Sequence, residues 1–157
     1  MKTRNDGGWI FITGGAASGK SALAEQICTK AGGQLLYIAT MQPYGEEGAF
    51  RIARHKKMRA GKGFCTVEQP CALQNLRLQK QYDAIIVEDT GNLVANELYG
   101  LQKSQEAVET DILDGLERLT AHTKALVIVG NDVFCGHEAA SLTRYLSSLG
   151  QVHQRIA

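Results

Sequence analysis

Residues 9–30 read WIFITGGAASGKSALAEQICTK. Within them Gly14, Gly15, Ala16, Ala17, Ser18, Gly19, Lys20 and Ser21 fit G-x-x-x-x-G-K-[ST] without a mismatch. The flanks supply the context that this motif needs. Trp9 to Thr13 is a short apolar run rich in β-formers, and Ser21 to Lys30 reads as a helix with Leu23, Ile27 and Ala31 on one face. Gly14 and Gly19 permit backbone angles that other residues resist, so successive N–H groups can turn inward on a phosphate. The helix N-terminus adds partial positive charge. Lys20 is placed to reach the β/γ-phosphates, and the Ser21 hydroxyl to complete a Mg²⁺ shell.

Composition narrows the class. At 157 residues the chain is expected to form a single domain, and 44% hydrophobic content supports a sizeable core. A net charge of +1 gives no global field toward nucleic acid or membrane. No apolar run approaches the ~20 residues that span a bilayer. The first residues, MKTRNDGGW, lack the apolar core of a signal peptide. Cys28, Cys65, Cys71 and Cys135 match no zinc or C-x-x-C spacing and are read as free thiols in a cytoplasmic protein.

Working outward from the loop, residues 1–8 read as a loose tail. Further strands are expected at Gln34–Thr40, Phe64–Val67, Tyr82–Val87 and Ala125–Gly130. Helices are expected at Glu46–Arg59, Ala72–Gln79, Asn92–Tyr99 and Ser104–His122, and from about His137 onward with an interruption at Gly150. Short Val/Ile/Leu strands alternating with amphipathic helices predict a three-layer α/β fold, its mostly parallel central sheet covered by helices on both faces. Ligands in such sheets sit beyond the carboxyl ends of the strands. Thr13, Thr40, Glu88-Asp89 and Asn131-Asp132 lie at those ends and should line one crevice.

Two further groups bear on chemistry. Glu88 and Asp89 follow an apolar strand, where an acid could hold Mg²⁺ or its waters. Adjacent strand residues point to opposite faces, and Glu88, nearer the strand, is the expected one to face the nucleotide. A solvated turn carrying two acids is the alternative. Arg51, His55 and Arg59 are spaced four apart and share a helix face, with Lys56 and Lys57 adjacent. Nearby cations disfavour the imidazolium, and a neutral imidazole can be a nucleophile beside cations that hold phosphate oxygens. The same pattern also describes an ordinary solvated basic helix. His122 and His137 read as surface or capping residues, and His153 as a helix-face residue.

The ordered set of segments resembles the bifunctional adenosylcobinamide kinase/adenosylcobinamide-phosphate guanylyltransferase family of cobalamin assembly. GGAASGKS is similar to the family's GGARSGKS, LLYIATM to its YIAT strand, and RIARHKKMR to R-I-x-x-H with an arginine four after the histidine. TVEQP is similar to T-x-E, IIVEDTGNLVANEL to an apolar strand, Glu and T-x-x-x-x-N-L, VGNDV to V-x-N-E-V, and GQVHQRIA to G-x-V-N-Q-x-L-A. Typical members continue past the last helix into a further strand that these residues do not contain. They also carry a G-x-G-x-V-P-like loop where this chain has VFCGHEAAS, and Asn where it has His153.

The resemblance implies a P-loop NTPase-like fold and two activities on one protein. One is phosphorylation of the aminopropanol arm of adenosylcobinamide. The other is transfer of GMP from GTP, through a guanylyl-histidine, to give adenosylcobinamide-GDP. It implies His55 as nucleophile and Lys20 as the catalytic cation. Nucleotide contacts would come from Gly14 to Ser21, from Ala39, Thr40 and Met41, from Lys56, Lys57, Met58 and Arg59, and from Glu68 and Glu88. Ser21 and Glu88 would serve Mg²⁺, with GTP and ATP as nucleotide substrates, and a homotrimer is the implied assembly. Two other readings fit the loop alone: a single-activity small-molecule kinase, and a nucleotide-binding module without corrinoid chemistry.

Overall fold

A computed structural model describes residues 2–5, 8–132 and 140–157. Its strands are β1 (Lys2–Asn5), β2 (Trp9–Gly14), β3 (Leu35–Ala39), β4 (Phe64–Glu68), β5 (Ala84–Glu88) and β6 (Leu126–Asn131). Its helices are α1 (Lys20–Ala31), α2 (Gly45–Arg59), α3 (Thr90–Ala95), α4 (Gln105–Thr120) and α5 (Ala140–Ile156). The sheet runs β1-β2-β6-β5-β3-β4. All pairings are parallel except β1 with β2, which is antiparallel at the edge.

The inner strands are apolar on both faces, and their alternation divides the core in two. Phe11, Leu36, Ile38, Ile85, Val87, Leu126 and Ile128 turn toward Leu93 of α3, Val108, Ile112 and Leu116 of α4, and Val152 of α5. Ile12, Leu35, Tyr37, Ile86, Val127 and Val129 turn the other way, toward Ala24 and Cys28 of α1. That period of two with burial on both sides is what a sheet covered by helices requires. The register then sets the strand ends level. Gly14 lies opposite Asn131, and Ala39 lies between Glu88 and Glu68.

Three expectations give way. Residues 2–5 of the expected loose tail pair with β2, from Lys2 opposite Thr13 to Asn5 opposite Ile10. An edge strand needs only backbone pairing, so KTRN carries no apolar signal for it. Over 72–79 only Leu73–Asn75 turns, as a 3₁₀ helix. Ala72 before it is left-handed, Leu76 after it is extended, and residues 74–79 then alternate between half-buried and exposed. Leu76 and Leu78 thus reach the core at strand spacing, not helix spacing. α5 continues unbroken through Gly150. The expected start at about His137 lies outside the described residues.

Candidate nucleotide site

β2 ends at Gly14, and α1 begins at Lys20 with Gly19 as its N-cap at φ 84. Left-handed backbone is needed there and at Ala17, φ 55. The second position takes a non-glycine residue at some steric cost. Residues 15–19 are exposed, and no side chain caps the helix or places an acid in its first turn. The N–H groups of this end are therefore open to an anion. Lys20 is buried, and its Nζ donates to the Gly15 carbonyl at 2.9 Å, within the loop it belongs to.

The two acids at the end of β5 diverge, since the strand stops at Glu88 and Asp89 caps the next helix. Glu88 accepts from the Ser21 hydroxyl at Oε1 and from the Tyr37 hydroxyl at Oε2, 2.8 Å. Burial, followed by the Glu88 charge, holds the Tyr37 hydroxyl well above the ordinary phenol range, so it remains a donor. Asp89 turns away and caps α3, accepting from the Asn92 N–H at 2.8 Å and from the Asn131 amide at 2.9 Å. Burial raises its pKa against the pull of those donors. A hydroxyl and a carboxylate in contact beside the loop are hard oxygen donors suited to Mg²⁺. Among the described residues no group of three or more His, Cys, Asp or Glu could form a metal cage. One acid and one hydroxyl suit a cation that takes its other ligands from water and phosphate.

The end of β3 is sewn to these acids. Thr40 N–H donates to the Glu88 carbonyl at 3.0 Å, and the Thr40 hydroxyl bonds the backbone of Asp89. Asn96, buried at the start of the π-turn Asn96–Gly100, donates to the carbonyls of Thr40 at 3.0 Å and Pro70 at 2.7 Å. Ala39 accepts from the Gln69 N–H at 2.8 Å, and Met41 is half-buried beyond it. Ala39 and Thr40 are thereby placed next to Glu88.

α2 is built differently. Arg59 is the only buried residue among its described side chains, and His55 is half-buried. Lys57, Met58 and Phe50 are exposed. The Arg59 guanidinium lies 3.8 Å over the Tyr37 ring, and its buried Nε has no hydrogen-bond partner. Lys56 pairs with Glu68 of β4. Lys56, Arg59 and Glu68 line a cavity of about 370 Å³ with Ala60, Phe64 and Thr66. No described hydrogen bond or ion pair joins His55 to the phosphate loop. A second, more apolar cavity of about 500 Å³ is lined by Ala95, Tyr99, Leu142 and Tyr145, away from these charges.

The remaining histidines divide. His122 holds the chain through its backbone, accepting from the Tyr82 N–H, while its Nδ1 is buried without a partner. His153 shares a 2.8 Å hydrogen bond with the Thr90 hydroxyl and stacks edge-on against Phe11. Burial pushes its pKa down to about 4. Sequence reading missed Tyr37, Asn96 and the capping role of Asp89. The signal for Tyr37 was one hydroxyl in an otherwise apolar buried strand.

Loop, acid and parallel sheet define a nucleotide-binding α/β protein of the P-loop class. Comparison with known proteins narrows the class. The family model for cobinamide kinase / cobinamide phosphate guanyltransferase matches residues 10–157, and the chain belongs to that family. It is 35% identical over 163 residues to the bifunctional adenosylcobalamin biosynthesis protein CobU of Salmonella typhimurium, covering 94% of this chain and 89% of that one. It is 32% identical over 156 residues to the bifunctional adenosylcobalamin biosynthesis protein CobP of Pseudomonas aeruginosa, covering 94% and 86%. The chain is thus a transferase of the kinase and guanyltransferase kind. Among the described residues no helix is long and apolar enough to cross a membrane.

Proposed function

We propose that this chain performs both transfers of cobalamin assembly at one nucleotide site, with His55 as the covalent carrier of GMP. In the guanylyl step a neutral His55 nitrogen attacks the α-phosphorus of GTP. A P–N bond forms, the α–β anhydride breaks, and pyrophosphate leaves. The phosphate of adenosylcobinamide phosphate then attacks the same phosphorus. The P–N bond breaks and adenosylcobinamide-GDP forms. In the kinase step the substrate hydroxyl attacks the γ-phosphorus of ATP or GTP, the β–γ anhydride breaks, the nucleoside diphosphate leaves and the hydroxyl proton passes to water, and no protein nucleophile is needed. The loop amides of Gly14 to Gly19 and Lys20 hold the phosphates, and Ser21 and Glu88 would hold Mg²⁺. Bound there, Mg²⁺ would offset charge on the transferring group.

The observation that carries the reading is the cavity shared by Lys56, Arg59 and Glu68. It lies at the end of the His55 helix and offers two cations and a carboxylate to one ligand. A buried guanidinium with a free Nε is a donor without an acceptor, and a nucleotide oxygen or base would satisfy it. Lys57, Met58, Ala39, Thr40 and Met41 complete the proposed nucleotide contacts. A homotrimer is the proposed assembly, to be checked by light scattering.

Incubation with α-labelled GTP tests the assignment. Acid-labile, alkali-stable label on the protein is the expected result. ATP turnover with no label would leave a single-activity kinase, and nucleotide binding with neither activity a binding module.

A further inference from the structure

Glu88 is the acid on which the proposed Mg²⁺ site depends, yet it ends a strand at the rim of the crevice. Its carboxylate is fixed from two sides, by Ser21 of the phosphate loop and by the Tyr37 hydroxyl at 2.8 Å. Of these, Ser21 is itself expected to turn to Mg²⁺, leaving Tyr37 as the donor that stays. Tyr37 is suited to that task. It is 1% exposed, its ring meets Phe64 edge-on at 5.9 Å, and Arg59 covers it at 3.8 Å. A ring held on both sides gives its hydroxyl one direction, and that direction is Glu88 Oε2. The register supports the same geometry, since Tyr37 and Glu88 stand on adjacent parallel strands two residues apart, with Ala39 directly opposite Glu88.

We propose that Tyr37 is a positioning residue of this site: its hydroxyl orients the Glu88 carboxylate for the metal–nucleotide complex, from a ring clamped by Arg59 and Phe64. The proposal rests on the reading that Glu88 serves the nucleotide. It also places one residue between the two halves of the site. Tyr37 touches the acid beside the phosphate loop and the last residue of the His55 helix, so both transfers would depend on it through Glu88.

Tyr37→Phe keeps the ring, its packing and the guanidinium of Arg59 over the ring, and removes the hydroxyl with its bonds to Glu88 and Arg59. The test is Mg²⁺-dependent binding of a non-hydrolysable GTP analogue by calorimetry to wild type, Tyr37→Phe, Glu88→Gln and the double variant. Thermal unfolding of each runs alongside. The half-saturating Mg²⁺ concentration should rise roughly tenfold in Tyr37→Phe, the scale of one lost hydrogen bond to a charged group. The unfolding midpoint should stay close to wild type. Because the hydroxyl acts through Glu88, the double variant should be no worse than Glu88→Gln alone. A Tyr37→Phe titration matching wild type, or effects that add in the double variant, would overturn the proposal. The catalytic reading fails by a different sign, wild-type protein that takes no label from α-labelled GTP, and the binding comparison does not depend on it.

Discussion

The phosphate-loop side and the α2 side of the site are held by different means. Lys20 and Ser21 open α1, Glu88 ends β5 and Asp89 caps α3, and these elements are tied by direct bonds, among them Ser21 to Glu88 and Asn131 to Asp89. His55, Lys56 and Lys57 stand on a helix whose only buried described side chain is Arg59. The first side presents the donors proposed for phosphate. The second presents the proposed nucleophile, His55, and cations on a helix whose C-terminal end is held by Arg59 on Tyr37 and by Lys56 on Glu68. A site for two different transfers gains from this division. In the proposed scheme phosphate positioning is common to both steps, whereas the histidine serves only one.

That division is broken most directly at His55. His55→Ala removes the proposed nucleophile and leaves the loop, Lys20 and Glu88 untouched. Protein labelling from α-labelled GTP and GMP transfer should fall to background, while phosphorylation of the corrinoid hydroxyl persists at a measurable rate. Loss of both activities together would mean that α2 shapes the common nucleotide site, and the two sides would not be separable.

Lys20→Ala makes the converse cut. The loop keeps its backbone cradle but loses the cation beside it. Both activities should fall by about 100-fold or more, because charge stabilisation dominates phosphoryl transfer. Near-normal rates in steady-state assays of the variant would place the working phosphate site elsewhere.

The contrast explains what could be read from residue order. The loop, the strands and the level strand ends are encoded locally, by period-two apolar runs and by a glycine pattern whose chemistry is its spacing. Glu88 is preferred over Asp89 for its place nearer the strand, and the strand does end at Glu88. His55 could not be distinguished from a basic helix residue by its neighbours, and it was singled out by resemblance. Tyr37 and Asn96 were invisible because their partners, Glu88 and Thr40, are distant in the chain. β1 was missed since backbone pairing at an edge asks nothing of side chains. Over 72–79, Leu73 and Leu76 matched a helical period, but the segment reaches the core as an extended chain after a left-handed Ala72.

A milder change tests the metal side alone. Glu88→Gln keeps the shape, but only one of the Ser21 and Tyr37 hydroxyls can still donate to it, because the amide puts an NH₂ where the second carboxylate oxygen was. Removing the charge should raise the Mg²⁺ requirement of both transfers by about tenfold or more. An unchanged Mg²⁺ titration would move the metal role away from Glu88. A shift in only one transfer would show that the two steps use different acids.

The smallest expected effect lies behind the phosphate-loop side, in its support and not its chemistry. His153 of α5 packs on Phe11 and bonds the Thr90 hydroxyl, and any side chain added at Gly130 would meet its ring. Burial lowers its pKa from 6.5 to about 4, so the folded protein holds it neutral. The unfolded chain binds a proton there below about pH 6.5, and the folded protein does so only near 4. The stability tied to neutral His153 is therefore complete above pH 6.5 and declines as pH falls toward 4. Urea unfolding at pH 7.5 and pH 5 should show a loss on the order of 1–2 kcal/mol from this residue. His153→Asn cannot titrate and should show a correspondingly smaller drop over the same interval, with labelling by GTP at neutral pH near wild type. Equal drops in the two proteins would mean that His153 is as easily protonated folded as unfolded. Impaired labelling in the variant would mean that this layer positions the phosphate side as well as supporting it.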